Sequence, residues 1–376
     1  MKRLGIYIHI PFCVQKCLYC DFCSFPRTES STVERYVERL SQEIEKMSGA
    51  AREYTVDTVY FGGGTPTLIP TADFERIFSA LGKGYTIDES AEITCECNPA
   101  TAELEKLTAL RTLGVNRLSI GLQSANDEEL RSLGRIHSFS DFADTYRAAR
   151  AAGFDNISAD LMYGIPKQTR GSLADTIGKL CALDPEHISL YGLKIEEGTP
   201  FGRMRDSLPL PDEDEEYQMY LDSCEQLLDR GYYKYEISNF AHKGYESKHN
   251  MKYWQGDSYI GFGVSAHSYF EGERYARSRD MKGYLDGIDI TSERKKISLE
   301  EKKTELVMLG MRLSRGIVYE EYEKKVGEDF LSVYRDRLEK YARDGYVVIG
   351  ERSTAFTDKG FLVSNYILSD ILDFRE

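Results

Sequence analysis

A chain of 376 residues is long enough for two or three domains, or for one large barrel with an appendage, and for a substantial core without disulfide staples. Its 48 Lys and Arg against 62 Asp and Glu give a formal charge of −14, which argues against a nucleic-acid partner and an anionic membrane surface. No apolar run approaches the ~18 residues of a membrane-spanning helix, and the opening MKRLGIYIHIPFC lacks a small-residue cleavage site. The expectation is a cytoplasmic protein with no transmembrane segment, peripheral membrane contact staying open.

From residue 4 to about 200, short β-rich runs alternate with helical stretches, the pattern of a parallel sheet with crossover helices. Strands are predicted over Leu4–Ile10, Asp57–Gly62, Ala91–Asn98, Asn116–Ser124, Asn156–Gly164 and His187–Lys194. Helices are predicted over Ser31–Met47, Thr71–Leu81, Thr101–Leu113, Ser138–Ala152 and Gly171–Leu183, several opened by Ser, Thr or Asp and closed near a Gly. Strands buried on both faces read as continuous apolar runs, but several of these alternate. Arg117, Ser119, Gly121 and Gln123 share one face, and Leu118, Ile120 and Leu122 the other; Glu96 opposes Cys95 and Cys97, and Asp160 opposes Ala159 and Leu161. One apolar face for helices and one small, polar face suit a barrel with a polar lining. Six units are too few to close an eight-fold barrel, so the predicted fold is α/β, a partial (β/α)6 barrel open at the side.

After about residue 200 the rhythm changes. An acidic linker, Pro209-Leu210-Pro211-Asp212-Glu213-Asp214-Glu215-Glu216, leads into a helix to about Arg230 and a Tyr-rich stretch, Gly231–Phe240. From about Ser298 the chain reads as helical, with a strand at Tyr346–Ile349 and a terminal helix at Lys359–Leu372. The expected domains are a barrel with its cysteine loop at 1–205, a linker, helix and Tyr-rich region at 206–297, and a small, mainly helical, winged-helix-like domain at 298–376.

Four of the eight cysteines (Cys13, Cys17, Cys20, Cys23) fall within eleven residues, directly after the first strand. In the C-x3-C-x2-C of Cys13, Cys17 and Cys20, each thiolate can take a different iron of a [4Fe–4S] cube, leaving one iron open for a small molecule. Phe12, Tyr19 and Phe22 would shield the cluster from water. A zinc site normally draws C-x2-C pairs from two separated places, and Cys95, Cys97, Cys181 and Cys224 supply no second pair; they read as buried thiols. A redox Cys17-x2-Cys20 pair would leave Cys13 idle. Cys23 as a fourth ligand would close the cluster and make an electron carrier; it is read as a nearby free thiol.

These residues resemble the radical S-adenosylmethionine (SAM) superfamily, and within it the oxygen-independent coproporphyrinogen III oxidase-like family. The resemblance starts at Tyr7-Ile8-His9-Ile10-Pro11-Phe12 and the cysteine loop, and continues through Phe61-Gly62-Gly63-Gly64-Thr65-Pro66, Glu96-Cys97-Asn98-Pro99, Gly114–Ser124, Leu133–His137 and Asp160–Pro166. It resumes at His249-Asn250-Met251-Lys252-Tyr253-Trp254 and Thr357-Asp358-Lys359-Gly360. It implies that SAM chelates the open iron and is cleaved, on one-electron reduction, to methionine and a 5′-deoxyadenosyl radical. Gly63, Gly64, Thr65, Glu96, Gln123, Arg135 and Asp160 match SAM-contacting positions, as do Tyr7 near the sulfonium and Tyr19 in the loop. Carboxylates suit ribose hydroxyls, and the Arg135 fork suits the methionine carboxylate.

Two functions share this scaffold: coproporphyrinogen III dehydrogenation, by radical oxidative decarboxylation of propionates to vinyls, and heme delivery by a HemW-type chaperone. The chaperone is favoured by three features. The first strand starts at Leu4, read as the lack of the dehydrogenases' N-terminal arm; Cys20-Asp21-Phe22 has no cysteine two places after the third ligand; and His249-Asn250-x-x-Tyr253-Trp254 matches that branch's HNxxYW signature. His249 would ligate heme iron while Tyr253 and Trp254 offer flat apolar surface, and His267 is a second candidate ligand. The resemblance thus implies a [4Fe–4S] cluster, SAM and heme, with heme-accepting proteins and an electron donor as partners.

Overall fold

The computed structural model describes residues 2–99 and 101–373; residue 1 and residues 374–376, in the first and third expected domains, lie outside it. The chain opens with strand β1 (Lys2–Ile10) and helix α1 (Ser30–Met47), and the two show how the barrel is built. Leu4, Ile6, Ile8 and Ile10 are fully buried at a spacing of two, and Tyr36, Val37, Leu40 and Ile44 are buried on α1 at helical spacing. Each such side chain contributes ~1.5–3 kcal/mol on burial. Tyr7 and His9 are left for the concave side.

The unit repeats through β2 (Tyr54–Gly63), α2 (Thr71–Gly84), β3 (Thr86–Cys97), α3 (Leu104–Thr112), β4 (Arg117–Gln123), a short α4 (Asp127–Ser132), α5 (Phe139–Ala151), β5 (Ile157–Tyr163), α6 (Arg170–Cys181) and β6 (His187–Gly192). Strands β1 to β6 pair in parallel and in order. This is the expected partial (β/α)6 barrel, with α4, capped by Asn126, added.

Residues 206–297 do more than link. After helix α7 (Glu213–Asp229) they supply β7 (Tyr233–Lys234), β8 (Asn239–Ala241), helix α8 (Lys248–Gln255), β9 (Tyr259–Phe262), β10 (His267–Phe270), β11 (Glu273–Arg277) and β12 (Thr291–Lys296). These six strands join the same sheet, in the order β12-β11-β10-β9-β1-β2-β3-β4-β5-β6-β8-β7. Strand β9 is parallel to β1, whereas β8 is antiparallel to β6, as β10, β11 and β12 are to their neighbours.

Two bulges aim side chains. Between β1 and β2 the register slips at Asp57, which meets Lys252 of α8 at 2.7 Å. Between β4 and β5 it slips at Leu122, and the next residue, Gln123, takes φ +68°. Left-handed backbone at a non-glycine residue is strained and marks a constrained site.

Helix α8 packs at the N-terminal end of the barrel strands. Ser247 caps it, both Glu92 carboxylate oxygens accept from the Lys248 and His249 amides at 3.0 Å, and His249 and Lys252 are buried.

Residues from 299 on fold around their own core of Val307, Met311, Phe330, Leu338, Ile367 and Ile371. Helices α9 (Leu299–Gly310), α10 (Tyr319–Val326) and α11 (Phe330–Arg343) pack with a three-stranded antiparallel sheet of Ile317–Val318, Ser353–Phe356 and Val347–Ile349, a winged-helix layout. The expected terminal helix is two, Asp358–Leu362 and Ser364–Ile371, broken where Val363 leaves helical geometry at φ −110°, ψ 18°. No helix among the described residues is long and apolar enough to cross a membrane.

Candidate functional site

The cysteine loop hangs at the C-terminal ends of β1 and β2 and is tied at both sides. Gly64 N donates to Ile10 O at 2.9 Å and Thr65 N to Phe12 O at 2.7 Å, while Leu18 N donates to Leu133 O and Phe201 N to Leu18 O, each at 3.0 Å. The glycine pair makes the near side feasible. A Cβ on Gly64 would lie 2.6 Å from Phe12 O, and one on Gly63, at φ +112°, 2.4 Å from the His9 ring. Beyond the SAM contact that the resemblance implies for these glycines, the structure gives them a close fit of the cysteine loop on the barrel rim.

Cys13, Cys17 and Cys20 line one cavity of about 740 Å³, its solvent-open part included, with Tyr19, Gly63, Gly64, Thr65, Glu96, Gln123, Arg135 and Asp160. All the residues matched to SAM meet there except Tyr7, which stands behind the wall: its ring stacks on Tyr60 at 6.1 Å and its hydroxyl lies 3.0 Å from His9 Nδ1. His9 Nε2 donates to Cys23 O at 2.9 Å, so Nδ1 is the acceptor and Tyr7 the donor. Cys23 is 6% exposed, packs in the main core and does not line the cavity.

Motif matching alone did not single out four further residues, Asn98 and Ser119 in the cavity lining and Tyr60 and His9 behind it. Asn98 donates to Thr65 Oγ1 at 2.7 Å and accepts from Arg135 Nη2 at 3.3 Å. Ser119 donates to Asp160 Oδ1 at 3.1 Å, Tyr60 donates to Glu96 Oε1 at 2.9 Å, and His9 props Tyr7. Asn98 stood in a quoted motif and Ser119 on the polar face of its strand; either signal could have found them.

The charges are poised for a polar ligand. Burial, and then the nearby Asp160, push the Glu96 carboxyl up to about 7; burial likewise raises Asp160 against the hydroxyl bonds that steady its anion. Arg135 reaches Cys17 Sγ at 3.5 Å and Gly121 O at 2.7 Å, yet its Nε is buried without a partner. A radical SAM site needs thiolates beside an anion-binding fork and hydroxyl acceptors, and this donor set supplies them. Among the described residues no three His, Cys, Asp or Glu side chains converge on a single-ion site. Thiolates that serve three different irons have no need to converge.

The residues read as heme candidates separate: His249 and Tyr253 turn into the barrel, Trp254 faces away from them, and the second candidate ligand, His267, stands on another element. His249 is 1% exposed, with Nδ1 2.8 Å from Thr58 Oγ1 and Nε2 2.8 Å from Tyr253 Oη, and its ring stacks on Tyr60. Burial, then the charges of Lys252 and Arg117, lower its pKa to about 3. Trp254 points elsewhere, into a groove with Leu306, Leu313 and Ile317 of the C-terminal domain. His267 lies apart at the start of β10, exposed. The physical reason is helical geometry: positions 249 and 253 share a face that turns into the barrel, and 254 lies around the helix.

The fold and the cavity define a radical SAM protein: residues 7–180 match the Radical SAM superfamily and residues 297–363 the HemN C-terminal domain. The chain is 34% identical over 373 residues to the heme chaperone HemW of Bacillus subtilis (97% of this chain, 98% of that protein). It is 33% identical over 377 residues to heme chaperone HemW of Escherichia coli (98% of each), and 34% identical over 338 residues to the mouse mitochondrial radical S-adenosyl methionine domain-containing protein 1 (86% and 76%). Among solved structures, coproporphyrinogen III oxidase (HemN) from Escherichia coli, a radical SAM enzyme, superposes with a TM-score of 0.87 at 25% identity, covering 99% of this chain and 91% of that one. The chain belongs to the HemW family of radical SAM proteins. Membership in the superfamily implies a [4Fe–4S] cluster and SAM.

Proposed function

We propose that this protein is a heme chaperone: it holds a [4Fe–4S] cluster on Cys13, Cys17 and Cys20, binds SAM and heme, and passes heme to acceptor proteins in the cytoplasm, with an electron donor as a further partner. The observation that carries this reading is end-to-end similarity to heme chaperones, at 31–34% identity across relatives as distant as Bacillus, Escherichia and Haemophilus. The HemN likeness, at 25% identity, supports the scaffold and keeps coproporphyrinogen III dehydrogenation as the second reading.

The cluster, when bound, supplies an open iron for SAM and a route for one electron. The chain's own residues do the rest. Glu96 and Asp160 accept from ribose hydroxyls, which favours their charged forms and offsets the cost of burial. The Arg135 guanidinium, already held by Gly121 and Asn98, presents its remaining N–H groups to the methionine carboxylate. Gln123, turned in by the bulge, adds an amide, and Tyr19 covers the loop side of the cavity. His9 and Tyr60 fix the Tyr7 ring behind them.

The test is an anaerobic heme titration of the protein with its cluster reconstituted, followed by Soret absorbance. One heme per chain, with the cluster's absorbance retained, is expected. Heme uptake no greater than that of an unrelated protein would overturn the proposal.

A further inference from the structure

We propose that the axial ligand to heme iron is His267, beside the cysteine loop, and that His249 is a floor residue of the barrel; this rests on the heme-chaperone reading above. The sequence has six histidines, and the structure separates one from the rest. His9 is held by Tyr7 and Cys23 O, His187 by Ser158 and Tyr235, and His249 by Thr58 and Tyr253. His137 Nε2 bonds Leu122 O and its ring is 7% exposed. His242 is bonded by Gly231 O, pairs with Asp184 at 3.5 Å and stacks on Tyr232 at 4.2 Å. Among the described residues, only His267 is exposed with no partner on either ring nitrogen.

Its position suits a metalloporphyrin. Tyr7 pairs alongside Gly261, and Tyr259 opposite Tyr269, so His267, two residues before Tyr269, shares the concave face with Tyr7 and His9. Ser268 and Phe270 are buried on the other face. Ser265 N donates to Ser278 O at 3.1 Å, which brings Arg279 beside this hairpin, and His9 feels the charge of both His267 and Arg279.

Arg279 reaches the cysteine loop itself, at 3.2 Å from Asp21 Oδ2. The next residue, Phe22, exposes 70% of its surface, and Lys16 Nζ donates to Phe22 O at 2.9 Å. An unbonded imidazole, a bare aromatic ring and two cations at one end of the barrel match the iron, the flat apolar ring and the propionates of heme. A propionate would displace Asp21 from Arg279. The bond formed is dative, from an imidazole nitrogen lone pair to iron; no electron is transferred and no covalent bond breaks. His249 could reach iron only by giving up the Thr58 or Tyr253 bond and opening α8.

The experiment is the same titration on full-length, cluster-loaded wild type, His267→Ala and His249→Gln, the last keeping polar atoms for Thr58 and Tyr253. His267→Ala should weaken heme binding about tenfold or more and lose the histidine-ligated heme spectrum, with cluster absorbance and thermal unfolding unchanged. Added imidazole should restore that spectrum, and His249→Gln should bind as wild type does. Unchanged heme binding in His267→Ala, or loss in His249→Gln alone, overturns the inference while leaving the chaperone reading intact. Wild type that takes no heme overturns both.

Discussion

Replacing Glu96 by Gln tests the electrostatics of the cavity. Glu96 is half-buried and accepts from Tyr60 Oη at 2.9 Å and Gly63 N at 3.1 Å, and its carboxyl is pushed up to about 7 against the ordinary 4.5. The folded protein therefore keeps a proton between these values that the unfolded chain has released. Its stabilising share is full below pH 4.5 and is lost as pH rises through 7. A gap of about 2.5 pH units corresponds to ~3 kcal/mol. Denaturant unfolding of the cofactor-free protein, reduced throughout, measures it at intervals from pH 4.5 to 8. Wild type should lose ~3 kcal/mol more than Glu96→Gln across that interval. Glu236, which burial also raises to about 7, titrates in both proteins, so the difference between them is diagnostic. Parallel pH profiles would refute the reasoning. Because hydroxyl donors favour the carboxylate, SAM binding near pH 7 should also release a proton, a release absent in Glu96→Gln.

Cys23→Ala should keep the iron–sulfur absorbance after reconstitution and Cys17→Ala should lose it; the reverse pattern would mean a closed cluster and no SAM site. Gly64→Ala drives a methyl to 2.6 Å from a backbone oxygen and should cost ~1–3 kcal/mol in unfolding, with reduced cluster loading; wild-type values in both would contradict the close-fit account. Lys252→Met strands Asp57 at the barrel floor, and a loss of ~3 kcal/mol in denaturant unfolding is expected. A stability within ~0.5 kcal/mol of wild type would show that α8 does not depend on that pair.

The parallel core was legible because its physics is local: alternating strands announce one face for helices and one for a polar interior, as Ser119 and Asp160 show. The site was legible where loop chemistry is written in spacing, as in Cys13, Cys17 and Cys20. Strands β7 to β12 escaped because they are short and several are polar; Thr291–Lys296 owes its conformation to pairing with Glu273–Arg277, not to its own composition. Gln123 reached the cavity as alternation predicts, but through the bulge at Leu122 and a left-handed turn that no period reveals. His249 marks a harder limit. The same i, i+4 pairing with Tyr253 spells an open ligand face or a sealed floor, and only the distant Thr58, Tyr60 and Glu92 decide between them.

The central claim is that this radical SAM scaffold carries heme rather than making its precursor. Anaerobic incubation of the reconstituted protein with coproporphyrinogen III, SAM and a strong reductant, followed by mass spectrometry of the porphyrin, tests that claim most directly. All four propionates should survive. A vinyl product, with loss of carbon dioxide, would contradict the account.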